Sequence, residues 1–412
     1  MSEKIKTANP ELLAPAGDEE RLQAALEYGA DAVYLGGTSF GMRASPGNFN
    51  DEQLKNAVQL CHKNGVKVYL TCNTLPRNDE LIRLPEFLEY AQECEVDGLI
   101  IADLGVLNLA KKYAPKVDIH ISTQAGIVNY ETANAFYNMG AKRIVTAREI
   151  SMENIAQIRA KTPKELEIEC FVHGAMCVSF SGRCLLSNYL TGRDSNRGDC
   201  SQPCRWKYHI VEEKRPGEYF EISDDKDGTY IMNAQDMCMI EHIPELVSAG
   251  VTSFKLEGRA KSAYYTAVVT NAYRAAIDGY KQNPTPSYIP EKWIVDEIRK
   301  ISYRDYCTGF YFGHPRDNAS IYYEGIYKRE WDIIANVIKS DGEKITIEQR
   351  NKLFDGDELE VLSPKTEPYK ITVKDLRDSD GEPIPYAQHP MATVTFSCKQ
   401  KIPAGSILRR QK

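Results

Sequence analysis

Eight short apolar runs, separated by segments with helical periodicity, constrain this chain more than anything else in it. They begin at Leu12, Val33, Lys67, Leu99, Asp118, Arg143, Glu167 and Ser253. Each is brief and mostly apolar, the pattern of a strand covered on both faces and not of one with a wet side. The segments between them carry start and stop signals. Asp18 precedes Leu22, Ala25 and Leu26 at helical spacing, and Gly29 follows; Leu54, Ala57, Val58 and Cys61 lead to Gly65; a further helix runs from Ser151 to before Pro163. Strands alternating with helices imply a parallel sheet, and eight of them predict an α/β fold closed as a TIM-like (β/α)8 barrel. An open doubly wound sheet is the structural alternative.

The spacing of the runs locates the expected site. Successive starts are 19 to 34 residues apart until Glu167, from which Ser253 is 86 residues away. An insertion therefore follows strand 7, and segments leaving the C-terminal ends of barrel strands build the active-site face. A helix over about 262–278 ends the barrel, and Asn283-Pro284-Thr285-Pro286 reads as a linker. From Trp331 the pattern changes to alternating strands with turns at Asp341-Gly342, Asp355-Gly356, Asp380-Gly381 and Ala404-Gly405. This predicts a small antiparallel β-barrel. The expected division is 1–282 for the barrel, with an insertion over about 173–240, then 283–330 as a connector and 331–412 as the β-domain.

Composition narrows the function classes. With 51 basic and 58 acidic residues and a net charge of -7, any nucleic-acid contact must use a local patch. The N-terminal residues lack the apolar core of a signal peptide, and no apolar run is long enough to span a bilayer, so a cytoplasmic setting is expected. The 11 cysteines are then read as thiols or metal ligands, not cystines.

Six of them crowd the insertion: Cys170, Cys177, Cys184, Cys200, Cys204 and Cys238. Cys170 lies inside a strand run and is assigned to packing, as are Cys61, Cys94 and Cys398. Cys177, Cys184, Cys200 and Cys204 sit among Gly, Ser, Arg, Asp and Asn, which favours metal binding over burial. Only Cys200 and Cys204 have the spacing of a zinc knuckle. Scattered thiolates without a histidine pair fit an iron–sulfur cluster better.

Around these cysteines stand FVHGAMC at 171–177, SGRCLLS at 181–187, GRDSNRGDC at 192–200 and QPCRW at 202–206. With ELLAPAG at 11–17, DAVYLG at 31–36, MNAQD at 232–236 and SFKLEGR at 253–259, they resemble the collagenase-like peptidase family U32 over nearly the whole chain. Length and the small β-domain resemble its prephenate-dependent tRNA uridine hydroxylases, which make 5-hydroxyuridine at the wobble position. Sister branches act on a cytidine of 23S ribosomal RNA or on ubiquinone precursors. The resemblance implies a [4Fe-4S] cluster on Cys177, Cys184, Cys200 and Cys238, with Cys204 competing for the fourth place, and tRNA and prephenate as partners. The family name also raises a peptidase, but the zinc-protease motif His-Glu-x-x-His is absent from the sequence. A non-catalytic RNA-binding module with structural zinc is a third reading.

Residue types at strand ends supply the remaining candidates. A dicarboxylate such as prephenate calls for cations, preferably arginine forks. Arg43, Arg148, Lys255 and Arg259 stand where a barrel places functional groups, and Asn73 could hydrogen-bond a base edge. His173, beside Gly174, and Glu257 are the expected proton-transfer groups. His120 reads as a core histidine. For RNA, Arg193, Arg197, Arg205 and Trp206 combine guanidinium forks with an aromatic face. The tail Arg409-Arg410-Gln411-Lys412 reads as a solvated end.

Overall fold

The computed structural model describes residues 9–41, 47–177, 184–195, 199–203, 206, 235–313 and 328–412, with the backbone of 209–210 and 220–221. All eight apolar runs are strands: β1 (Glu11–Pro15), β2 (Ala32–Gly36), β3 (Lys67–Cys72), β4 (Gly98–Ile101), β5 (Asp118–Ile121), β6 (Arg143–Val145), β7 (Glu167–Ala175) and β8 (Ser253–Leu256). Each pairs in parallel with the next, and β8 pairs with both β7 and β1, closing the barrel.

The helices form where the caps predict. Asp18 accepts from the Arg21 amide at the head of α1 (Glu19–Glu27). Asn50 and Gln53 form a reciprocal capping box on α2 (Asp51–Lys63), whose Leu54, Ala57, Val58 and Cys61 are buried against the sheet. Ser151 and Ser262 cap the helices Met152–Ala160 and Ala263–Gln282. The main core lies between this helical ring and the outer faces of the strands. A separate cluster of Leu13, Ala32, Tyr34, Tyr69 and Ile100 fills the lumen.

Charged side chains at the starts of the strands close the N-terminal end of the lumen. Arg143 reaches Glu11 at 2.6 Å, Glu167 at 2.6 Å and Glu169 at 2.9 Å. Such a layer holds together only because each buried charge meets an opposite one.

Residues 176–252 separate β7 from β8. Within them the strand Asp236–Cys238 folds back antiparallel on the end of β7, pairing Asp236 with Ala175 and Cys238 with His173. The strand Tyr306–Cys307 adds to its outer side. Arg304 clamps this edge, its Nη2 2.6 Å from a buried Asp236 carboxylate.

Residues 331–411 form a seven-stranded antiparallel sheet, a half-barrel running from Trp331–Ser340 to Ile407–Gln411, with its own core around Ile347, Val361 and Phe396. Gly342, Gly356, Gly381 and Gly405 occupy the foreseen turns with positive φ. One expectation for this region is corrected. Arg409 is not part of a solvated tail: it is fully buried, 2.5 Å from Glu297 and 2.5 Å from Glu360, and ties the sheet to the helix Lys292–Glu297. It sits on an internal antiparallel strand, paired on both sides. Tyr28 Oη, donating to the Leu362 carbonyl at 3.0 Å, secures the same interface.

Candidate active site at the barrel mouth

The C-terminal ends of β7 and β8 meet closely. Gly174 has φ +111°, and a Cβ there would stand 2.5 Å from the Glu257 carbonyl oxygen. Glycine is required on both counts. The Glu257 amide donates to the His173 carbonyl at 2.9 Å, fixing the two strand ends against each other.

His173 is buried among three tyrosine rings, with centroids 6.0 Å (Tyr265), 5.5 Å (Tyr273) and 5.3 Å (Tyr306) from its own. Burial pulls its imidazole down to about 4 despite Asp236 nearby, so it stands neutral near pH 7. Its Nδ1 makes no hydrogen bond. Glu257 is half-buried beside it.

Two of the expected cations reach the rim. Arg148, just beyond β6, lays its guanidinium 5.0 Å from the Phe171 ring centroid and donates to the Ala175 carbonyl at 2.9 Å. Arg259 crosses the mouth from β8 towards β2 and β3. Its Nη1 donates to Thr71 Oγ1 at 2.9 Å, and Gly36 gives it room, since a Cβ there would lie 2.6 Å from that nitrogen. Asn73 follows β3, half-buried. Arg43 lies outside the described residues.

Lys255 is placed differently. It was expected to face a ligand at the rim, but its side chain enters the lumen. There its ammonium is 2.7 Å from Glu169 and 4.7 Å from the Tyr34 ring centroid. Strand alternation explains this: Glu169, Phe171 and Lys255 occupy inward positions on adjacent strands. Glu169 and Arg143 escape strand-end reasoning, although charged residues inside runs buried on both faces are the sequence signal of such a lumen network.

The cysteines show a recurring local geometry. The Leu186 amide donates to Cys184 Sγ at 3.4 Å and the Gln202 amide to Cys200 Sγ at 3.3 Å. Cys238 accepts from the Ile240 backbone and lies 3.8 Å from Tyr273 Oη. Each sulfur thus faces the amide two residues on, a donor set that suits a metal-bound thiolate. Ser201 Oγ, 2.9 Å from both Ser187 and Thr191, ties the segment behind Cys200 to the helix Leu186–Thr191 behind Cys184. Burial pushes the Cys238 thiol up to about 12, so it would carry charge only when bound to a cation. Among the described residues no three or more His, Cys, Asp or Glu side chains are drawn into a metal-binding group. Cys177 is half-buried after β7, and Cys204 lies outside the described residues. Cys307, given no role from sequence, neighbours Cys238 on the adjoining strand. Cys170 is buried against Thr146, as expected of a packing residue.

Residues 17–321 match the model of peptidase family U32, and residues 329–409 match that of the family's C-terminal domain. The chain belongs to peptidase family U32. Three of its U32 relatives extend over most of it. The tRNA hydroxylation protein P1 of Bacillus subtilis is 36% identical, covering 99% of this chain and 96% of the relative. The tRNA hydroxylation protein P of Escherichia coli is 33% identical over 95% and 94%. A protein named collagenase from Porphyromonas gingivalis is 31% identical over 89% and 90%.

The candidate RNA-facing residues of this U32 chain are placed in part. Arg193 is half-exposed, and its guanidinium holds Asp199 through Nε at 2.7 Å and Nη2 at 2.6 Å. Trp206 is exposed, as are Leu185 and Tyr189 beside Cys184. Arg197 and Arg205 lie outside the described residues. No helix among the described residues is long and apolar enough to cross a membrane.

Proposed function

We propose that this U32 protein hydroxylates tRNA, forming 5-hydroxyuridine at the wobble position in a prephenate-dependent, iron–sulfur-dependent reaction. The observation that carries this reading is the similarity to the Bacillus subtilis tRNA hydroxylation protein P1, which spans the barrel and the β-domain together. An Escherichia coli relative named 23S rRNA 5-hydroxycytidine C2501 synthase, 36% identical over 65% of this chain, supports RNA as the substrate class.

In this reading the barrel through residue 282 carries the chemistry and residues 331–412 help hold the RNA. Cys177, Cys184, Cys200 and Cys238 are the residues that would hold a [4Fe-4S] cluster, with amide donors already facing three of the sulfurs. When bound, the cluster would supply electron transfer. Arg148 and Arg259 would orient a dicarboxylate at the rim. His173 and Glu257 would hold or move a proton, the imidazole standing neutral near pH 7. A reducing compartment would keep the described cysteines available as thiols for such a cluster.

The deciding experiment is nucleoside analysis of tRNA from a strain lacking this chain. Loss of 5-hydroxyuridine-type nucleosides is expected, with return on complementation by the wild type but not by Cys184→Ala. An unchanged tRNA profile overturns the reading. The likeness to a protein named collagenase motivates a second assay: cleavage of denatured collagen that survives loss of Cys177 and Cys184 would favour a peptidase instead.

A further inference from the structure

A cavity of about 540 Å³ lies between the barrel and the C-terminal sheet, within the size range of small-ligand sites. Lys261 and Ser262 contribute from the barrel side, and Arg329, Trp331 and Arg350 from the sheet side. The barrel-side residues directly follow Arg259, so the cavity opens on the same end of the barrel as the candidate active site.

Its walls combine a fixed aromatic face with positive charge. The Trp331 indole is steadied by Lys300 Nζ, 4.9 Å from the ring centroid, and by the Arg409 guanidinium at 5.4 Å. Both cations are anchored in turn to Glu297 and Glu360, so the ring is held in a rigid frame. Three cations and one carboxylate, Glu20, line the cavity, and two carboxylates beside the lining, Asp332 and Glu348, pair with its arginines. Arg329 is 60% exposed with Asp332 at 3.1 Å, while Arg350 contacts Glu20 at 3.0 Å and Glu348 at 2.8 Å. The Arg350 Nε is buried and makes no hydrogen bond. An aromatic plate with guanidinium groups around it suits one chemical class, a nucleobase joined to phosphate.

We infer that this cavity seats one nucleotide of the RNA substrate, its base against Trp331 and its phosphate towards Lys261, Arg329 and Arg350. The inference rests on the RNA-hydroxylation reading and adds a second grip on the same strand. RNA leaving the barrel mouth past Arg259 would meet the cavity before it crosses the sheet. Rigid stacking there would set which nucleotide reaches the mouth.

The test is binding of tRNA by the full-length protein at several salt concentrations, with thermal melting to confirm that each variant folds. Trp331→Ala should weaken binding about tenfold, and Trp331→Phe should restore most of it. Arg329→Gln should lower the slope of log affinity against log salt by about one. Lys63→Gln, an exposed change at the end of α2, should do neither. Photo-crosslinking with 4-thiouridine RNA should label the peptide that contains Trp331. Unchanged affinity and salt slope in folded Trp331→Ala and Arg329→Gln variants would overturn the proposal. So would binding of uridine monophosphate at this cavity without binding of tRNA. The two readings fail separately. An unchanged 5-hydroxyuridine profile in the deletion strain sinks hydroxylation but leaves a Trp331-dependent RNA grip standing. Normal hydroxylation with indifferent Trp331 and Arg329 variants sinks only the cavity.

Discussion

Lys255 donates to Glu169 at 2.7 Å inside the barrel lumen, where both side chains are almost wholly enclosed. Burial pushes the Glu169 carboxyl up, but Lys255 and Arg143 beside it outweigh burial and hold it below the ordinary range. Lys255→Met or Glu169→Gln strands a buried charge and should cost about 3–5 kcal/mol, read as a lower denaturant midpoint. A folded-state value below the unfolded one stabilises fully above the unfolded pKa of about 4.3 and fades as pH falls through the lower folded value. The gap between wild type and Glu169→Gln should therefore narrow below about pH 4. If Lys255→Met weakened prephenate binding and left stability untouched, the lumen placement would be wrong.

His120 gives a second acid-side signature, closer to neutrality. It is buried edge-on to Tyr69, ring centroids 4.5 Å apart, and its Nδ1 has no hydrogen-bond partner. Burial first, then Arg143 and Lys255, draw its pKa well below the ordinary value. On acidification the unfolded chain takes up this proton first, so stability drops as pH falls below about 6.5, by up to about 1.4 kcal/mol per pH unit. His120→Phe should flatten that slope in melting curves taken from pH 7.5 to 5. An equal slope in both proteins would show that another group titrates.

Arg409 should behave as a hinge pin. Its replacement by Met leaves Glu297 buried beside Lys300 alone and loses the bridge to Glu360. A loss of about 3–5 kcal/mol is expected at the interface. Limited proteolysis should then release a fragment near residue 330 while the barrel stays intact. Lys412→Ala, at the exposed end of the same strand, should leave the digestion pattern unchanged.

The cysteine assignment separates cleanly from packing effects. After anaerobic purification, Cys184→Ala and Cys200→Ala should lose iron, sulfide and visible absorbance together. Cys61→Ala, fully buried on α2, should keep all three and lose only stability, by about 1–2 kcal/mol. Full iron content in Cys200→Ala would remove it from the ligand set, and zinc in place of iron would point to the structural-metal alternative.

Much of this molecule could be read before folding it. The eight strands stand at the positions their apolar runs mark, and Asp18, Ser151 and Ser262 stand at the heads of the expected helices, because capping depends on residues three positions apart. The positive-φ glycines at the turns of the β-domain are equally local. Among site residues, strand ends were enough to bring Arg148, His173, Glu257 and Arg259 to one rim. They were not enough for Lys255, whose inward direction follows from the closure of β8 between β7 and β1.

The sequence by itself determined the periodic elements, their order and the family motifs, since each rests on neighbours within one or two turns of chain. Tertiary structure alone decided which charges meet. Glu169 and Lys255 lie 86 residues apart, and Glu297 and Arg409 lie 112 apart. Nothing in either local segment distinguishes a solvated cation from a buried one. A buried charge persists only where the fold delivers its counter-charge, and that delivery is a property of the closed barrel and the docked sheet.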